Sequence, residues 1–117
     1  MNHGVKTRKL SRTRRGRTAL LRGLAADLIV KGKIKTTEAK AKELRPFAER
    51  LVTYGKRATV SSRRLAATAL GEPRELVIKK LFDEVAPKFA DRSGGYTRII
   101  KMGRTPAGRE EAVIEFV

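Results

Sequence analysis

The chain has 117 residues, the span of one domain, since single domains commonly run from about 100 to 200 residues. Its 28 Lys and Arg outnumber 12 Asp and Glu, a net charge of +16, and that excess costs stability through self-repulsion unless a polyanion relieves it. The 40% hydrophobic content and the absence of Cys exclude a wholly disordered chain, a disulfide framework and a thiolate metal site.

Residues 1–17 come first, and they are almost purely cationic. The stretch 6–17, KTRKLSRTRRGR, holds seven cations in twelve positions, and the first carboxylate of the chain is Asp27. Val5 and Leu10 are its only sizeable apolar residues besides Met1, so no helical or strand period emerges. This predicts an extended arm, disordered in the free protein, preceding a single domain over residues 18–117. The arm lacks an uninterrupted apolar segment and small-residue cleavage site, so it does not read as a secretory signal. The domain also starts too early to leave room for a removable presequence.

From Thr18 the pattern changes. Leu20, Leu21, Leu24, Leu28 and Ile29 recur at helical spacing, and Gly32 suits the helix's C-cap. Lys33-Ile34-Lys35-Thr36-Thr37 alternates as a short half-buried strand. Thr37 then offers an N-cap oxygen to a second helix, with Glu38 in its first turn. Leu44, Phe47, Ala48, Leu51 and Val52 form that helix's stripe toward Ala58, and Pro46 should kink it or begin its second half. Ser61 or Ser62 can cap a third, short helix over residues 63–70, which Gly71 ends. Pro73 fits the first position of a fourth helix, striped by Val77, Ile78, Leu81, Phe82 and Val85 and stopped by Pro87. After the loop Asp91-Arg92-Ser93-Gly94-Gly95, residues 96–102 and 112–117 read as strands. The order α-β-α-α-α-β-β, with its strands clustered, predicts a two-layer α+β body. Leu24, Leu44, Leu51, Leu81 and Phe82 are expected in its core.

Enzymatic chemistry finds little support. His3 is the only histidine and no cysteine accompanies it, which excludes a catalytic Cys–His pair and a tetrahedral zinc site. Asp83 and Glu84 beside Lys79 and Lys80 read as solvated helix charges. Gly94-Gly95 lacks the sequence context of a phosphate-cradling loop. The chain is read as a non-enzyme with no cofactor.

Three basic groups instead point to a nucleic acid. The arm supplies Lys6, Arg8, Lys9, Arg12, Arg14, Arg15 and Arg17, mostly the arginines whose planar fork suits phosphate. Lys31, Lys33, Lys35, Lys40 and Lys42 surround the first strand. The acid-free region 92–109 adds Arg92, Arg98, Lys101, Arg104 and Arg109. Phosphate affinity arises from many such cations releasing condensed counterions together. A localisation signal or solubilising tail would explain the arm but not all three groups. The arm has no aromatic residue to stack bases, and Tyr96 is the one aromatic not assigned to the core. No recognition-helix arrangement suggests a sequence-specific DNA reader. Threading of the arm into already folded RNA fits best.

Several blocks together resemble one family: Ile34-Lys35-Thr36-Thr37, Lys40-Ala41-Lys42-Glu43-Leu44-Arg45, Ser62-Arg63-Arg64-Leu65 and residues 81–103, LFDEVAPKFADRSGGYTRIIKMG. The family is the bacterial large-subunit ribosomal protein seventeen family, and the likeness spans essentially the whole chain. Arg8-Lys9-Leu10 and Arg17 fit its arm, whereas Ser11 and Gly16 stand where the family usually shows Asn and His. The resemblance implies a structural constituent of the large ribosomal subunit, in the cytoplasm or an organelle. It would bind ribosomal RNA near the exit side of the peptide tunnel, with neighbouring proteins that include large-subunit protein thirty-two. Arg22 of the first helix and Arg45, Arg63 and Arg64 of the quoted blocks complete the candidate RNA contacts. A free nucleoid or RNA-chaperone protein is the alternative from another class. A membrane-surface role ranks behind both, since no helix joins a basic face to interfacial Trp.

Overall fold

The structure, a computed structural model, describes residues 13–117. The candidate cations Lys6, Arg8, Lys9 and Arg12, and the expected disorder of the arm, lie outside the described residues. Helix α1 (Arg14–Lys31) leads into strand β1 (Lys33–Thr37), then helices α2 (Glu38–Arg57), α3 (Val60–Ala69) and α4 (Glu75–Lys80). One π-helical turn, Leu81–Val85, and one 3-10 turn, Ala86–Phe89, continue α4 before strands β2 (Thr97–Arg104) and β3 (Glu110–Phe116). The α+β order matches the sequence expectation.

The boundaries follow from local chemistry, and several move. Helix α1 starts at Arg14, four residues before the apolar period becomes visible. The Thr13 Oγ1 accepts the Gly16 amide at 3.1 Å and the Thr18 hydroxyl donates to the Arg14 carbonyl at 3.0 Å. A polar cap thus extends the helix into a stretch without apolar residues, so residues 14–17, expected to be extended, are helical. At its other end Gly32 adopts φ 83°, the left-handed conformation that favours glycine at this position. Thr37 caps α2 through the Lys40 amide at 3.3 Å. Helix α2 runs unbroken through Pro46, which is exposed, so the Lys42 carbonyl that loses its helical donor can meet water. Thr59, rather than Ser61 or Ser62, caps α3. Ser62 is the third residue of a reciprocal capping box, its amide and hydroxyl each 3.0 Å from their Thr59 partners. Pro73 stands just ahead of α4, whose N-cap is Arg74. Regular α-helical bonding ends at Lys80, ahead of the π-helical turn; Pro87, which offers no N–H, falls inside the 3-10 turn and does not stop the coil.

The sheet is antiparallel in the order β1-β3-β2. One face, carrying Thr36, Ala112, Ile114 and Thr97, is buried, with Ile34, Ile99 and Phe116 packed alongside. Helix α2 lies between this face and the other helices, and gives the core Leu44, Ala48, Leu51 and Val52. Leu28 and Ile29 of α1 meet it, and the stripe Val77, Ile78, Leu81, Phe82 and Val85 is buried as expected. Leu24 differs: it is only partly buried, at the core's edge.

Tyr96 joins the core as well, only 5% exposed, with its ring 5.2 Å from that of Phe89. The reason is Glu49. One carboxylate accepts the Tyr96 amide at 3.1 Å, the Thr97 amide at 2.8 Å and the Thr97 hydroxyl at 2.7 Å. Lys56, about two turns further along α2, bonds the Tyr96 hydroxyl at 2.9 Å and the Arg92 carbonyl. The glycine loop is therefore tied to α2 before β2 begins. Glu49→Gln replaces an accepting oxygen by a donor that faces other donors. It should cost about 1–3 kcal/mol, as loss of a charge-assisted contact from buried amides does. Hydrogen exchange should speed up at Tyr96 and Thr97; unchanged protection there would show that Glu49 does not hold the strand.

Candidate nucleic-acid interface

Charge on a folded surface is available to a ligand only where the protein has not already neutralised it. By that criterion the predicted cations divide. Lys35 reaches Glu111 at 3.4 Å, Arg98 reaches Glu115 at 3.0 Å and Arg104 reaches Glu110 at 3.3 Å. Lys42 and Lys101 share Glu38, at 2.8 Å and 3.4 Å. The Lys42 bond and then the Lys101 charge hold the Glu38 carboxyl below its ordinary pKa. The shared carboxylate also joins cations that are 59 residues apart by number. Arg63 pairs with Glu75 at 2.9 Å and stands over the Phe82 ring, 5.2 Å from its centre. The cations of these pairs are exposed, though the Glu38, Glu111 and Glu115 carboxylates are half-covered; surface pairs of this kind are weak and salt-screened, so a denser anion can displace them.

Arg22 has a different task. Its guanidinium donates to the Ala69 carbonyl at 3.1 Å and, at 3.4 Å, to the Thr68 carbonyl, which also accepts the Gly71 amide at 3.1 Å, so it adds a donor at the end of α3, where carbonyls lose their helical partners. The side chain packs over Gly71, where an added Cβ would come within 3.1 Å of it.

Arg14, Arg15, Lys33, Lys40, Arg45, Arg64, Arg92 and Arg109 form no ion pair among the described residues. All but Lys40 are exposed, and Lys40 is partly so. Arg14 and Arg15 open α1, whose first turn has no acid. Cations there oppose the helix dipole, an arrangement that an approaching phosphate would turn favourable. Arg17, in the same turn, is partly buried.

The register brings two sequence-distant basic groups onto one surface. On the sheet's outer face Lys33 pairs across Glu115 with Arg98, and Lys35 across Val113 with Ile100. A bulge between Lys101 and Gly103 shifts the register before the turn that leads to Arg109. Arg50, Arg57, Arg74, Lys79 and Lys88, which the basic-group reading passed over, are also exposed and without an acidic partner among the described residues. They are interspersed with acids along their helices, so sequence clustering could not find them. Among the described residues no group of three His, Cys, Asp or Glu could hold a metal ion, and no helix is long and apolar enough to cross a membrane.

Known proteins match the chain over most of its length. A family model described as ribosomal protein L17 matches residues 20–117. A protein of Thermodesulfovibrio yellowstonii named large ribosomal subunit protein bL17 is 52% identical, covering 100% of this chain and 87% of its own length. Proteins of the same name from Shouchella clausii and Hydrogenobaculum are 51% and 50% identical, covering 93% and 100% of this chain and 97% and 99% of their own.

Proposed function

The chain belongs to the ribosomal protein L17 family, and on that premise we propose that it is a structural constituent of the large ribosomal subunit that binds folded ribosomal RNA. The observation that carries the RNA contact is the set of eight exposed or half-exposed cations without acidic partners, beginning at the acid-free start of α1. Repulsion among them is relieved only by a dense anion. Phosphates would meet Arg14, Arg15, Lys33, Lys40, Arg45, Arg64, Arg92 and Arg109 directly, with Lys6, Arg8, Lys9 and Arg12 extending the contact. The paired cations Lys35, Lys42, Arg63, Arg98, Lys101 and Arg104 contribute once RNA outcompetes their carboxylates, while Arg22 acts on the fold. No chemical step is assigned to any side chain.

The proposed place is near the exit side of the peptide tunnel, beside neighbours that include large-subunit protein thirty-two. Sedimentation of native protein from a lysate tests the assignment. The protein should stay with large subunits through a high-salt wash; release into the nucleoid fraction would favour a free nucleic-acid-binding protein. Crosslinking of intact subunits tests the position. Links to protein thirty-two and to tunnel-exit neighbours are expected, and links confined to proteins of the opposite face would overturn it.

A further inference from the structure

Helix α2 places Phe47, Arg50, Leu51 and Tyr54 on one face, at intervals of three and four residues. Together with Ala69 at the end of α3 they line an open groove of about 190 Å³. Leu51 forms its buried floor, while the Phe47 and Tyr54 rings are only partly covered. A cavity of about 150 Å³ is enough to admit benzene, so a planar ring has room here.

The rim is cationic. Arg50 is exposed and pairs with no acid among the described residues. The Arg57 guanidinium lies 6.0 Å from the centre of the Tyr54 ring, and Arg22 is bonded to the Ala69 carbonyl at the groove's end. The acid adjacent in sequence, Glu49, is turned to the sheet by its bonds to Tyr96 and Thr97. Aromatic rings beneath unpaired arginines match a base together with the phosphate beside it, because the rings accept a flat apolar face and the guanidiniums accept the charge. An apolar protein side chain would fill the floor but leave the rim unanswered.

We propose that the groove between Phe47, Tyr54 and Ala69 receives one unstacked RNA base, with Arg50 and Arg57 on its flanking phosphate. The proposal rests on the RNA-binding reading above, and it adds a contact that is not electrostatic. Stacking and phosphate contact have different salt signatures: a lost stack weakens binding at every salt concentration, whereas a lost cation flattens the dependence of log K on log salt.

The test is a salt titration of full-length protein on large-subunit RNA stripped of protein, for wild type, Tyr54→Leu, Phe47→Leu and Tyr54→Phe, with circular dichroism checking the fold. Tyr54→Leu should bind roughly 5- to 150-fold more weakly, the range for one stacked base, with an unchanged slope. Phe47→Leu, at the other end of the groove, should behave alike and serves if the first variant does not fold. Tyr54→Phe, which keeps the ring, should bind like wild type. Wild-type affinity in both leucine variants would overturn the base site while leaving RNA binding intact. A protein neighbour's side chain would then be the occupant to seek. A weakened leucine variant with a flattened slope would overturn it too, since phosphate contacts would have been lost instead. Wild-type protein without salt-dependent affinity would refute the RNA-binding reading itself.

Discussion

Leu81→Ala is expected to cost about 2–5 kcal/mol, the range for removing a buried leucine side chain. Leu81 is fully buried where the π-helical turn meets α2. The crossing is close: a Cβ on Gly55 would lie 2.6 Å from the Ala86 Cβ and 3.7 Å from the Leu81 Cγ. With the helix backbones already this near, they have little freedom to close over the space a missing isobutyl group leaves, so the cost should lie toward the upper part of that range. A domain of this size shifts its Tm by about 4–8 °C per kcal/mol. The midpoint should therefore fall by at least about 10 °C in a thermal melt. An unchanged midpoint would mean that the packing of α4 and its continuation on α2 has been misassigned.

Removing residues 1–12 is expected to weaken binding to large-subunit RNA and flatten its salt dependence without unfolding the body. The cut must stop at Thr13, because the Thr13 hydroxyl caps α1; truncation at Thr18 would also remove the helix's first turn and mix a folding defect into the result. The removed segment carries Lys6, Arg8, Lys9 and Arg12. If each meets a phosphate, the slope of log K against log salt should fall in magnitude by roughly 3 to 4 units. Solvent-facing cations reduce that figure, and a drop of half would still support phosphate contact. Equal slopes for full-length and shortened protein, both folded by circular dichroism, would reduce the segment to a solubilising or address sequence.

What could be read without coordinates was what depends on neighbours along the chain. The α-β-α-α-α-β-β order, the strand at residues 33–37, the Gly32 and Thr37 caps and the stripe through Leu81 all arise from spacings of one to four residues. Local pattern misplaced the start of α1 because Arg14, Arg15 and Arg17 carry no apolar signal, and the stabilising group is a single threonine hydroxyl. Thr59 was missed for a related reason, since adjacent serines offered equally plausible caps. Tertiary structure alone decided the rest. Tyr96 is buried because Glu49 and Lys56, 47 and 40 residues away, hold it and its loop. Five of the predicted RNA-binding cations in and after β1 and β2 acquire carboxylate partners through strand pairing and the shared Glu38. The base-sized groove exists only because Ala69 comes to rest against α2. Composition determined a net charge of +16, an excess that a polyanion would relieve. Which of its charges remain free to meet one depends on long-range packing, because only that brings acids and bases from distant segments within a few ångströms.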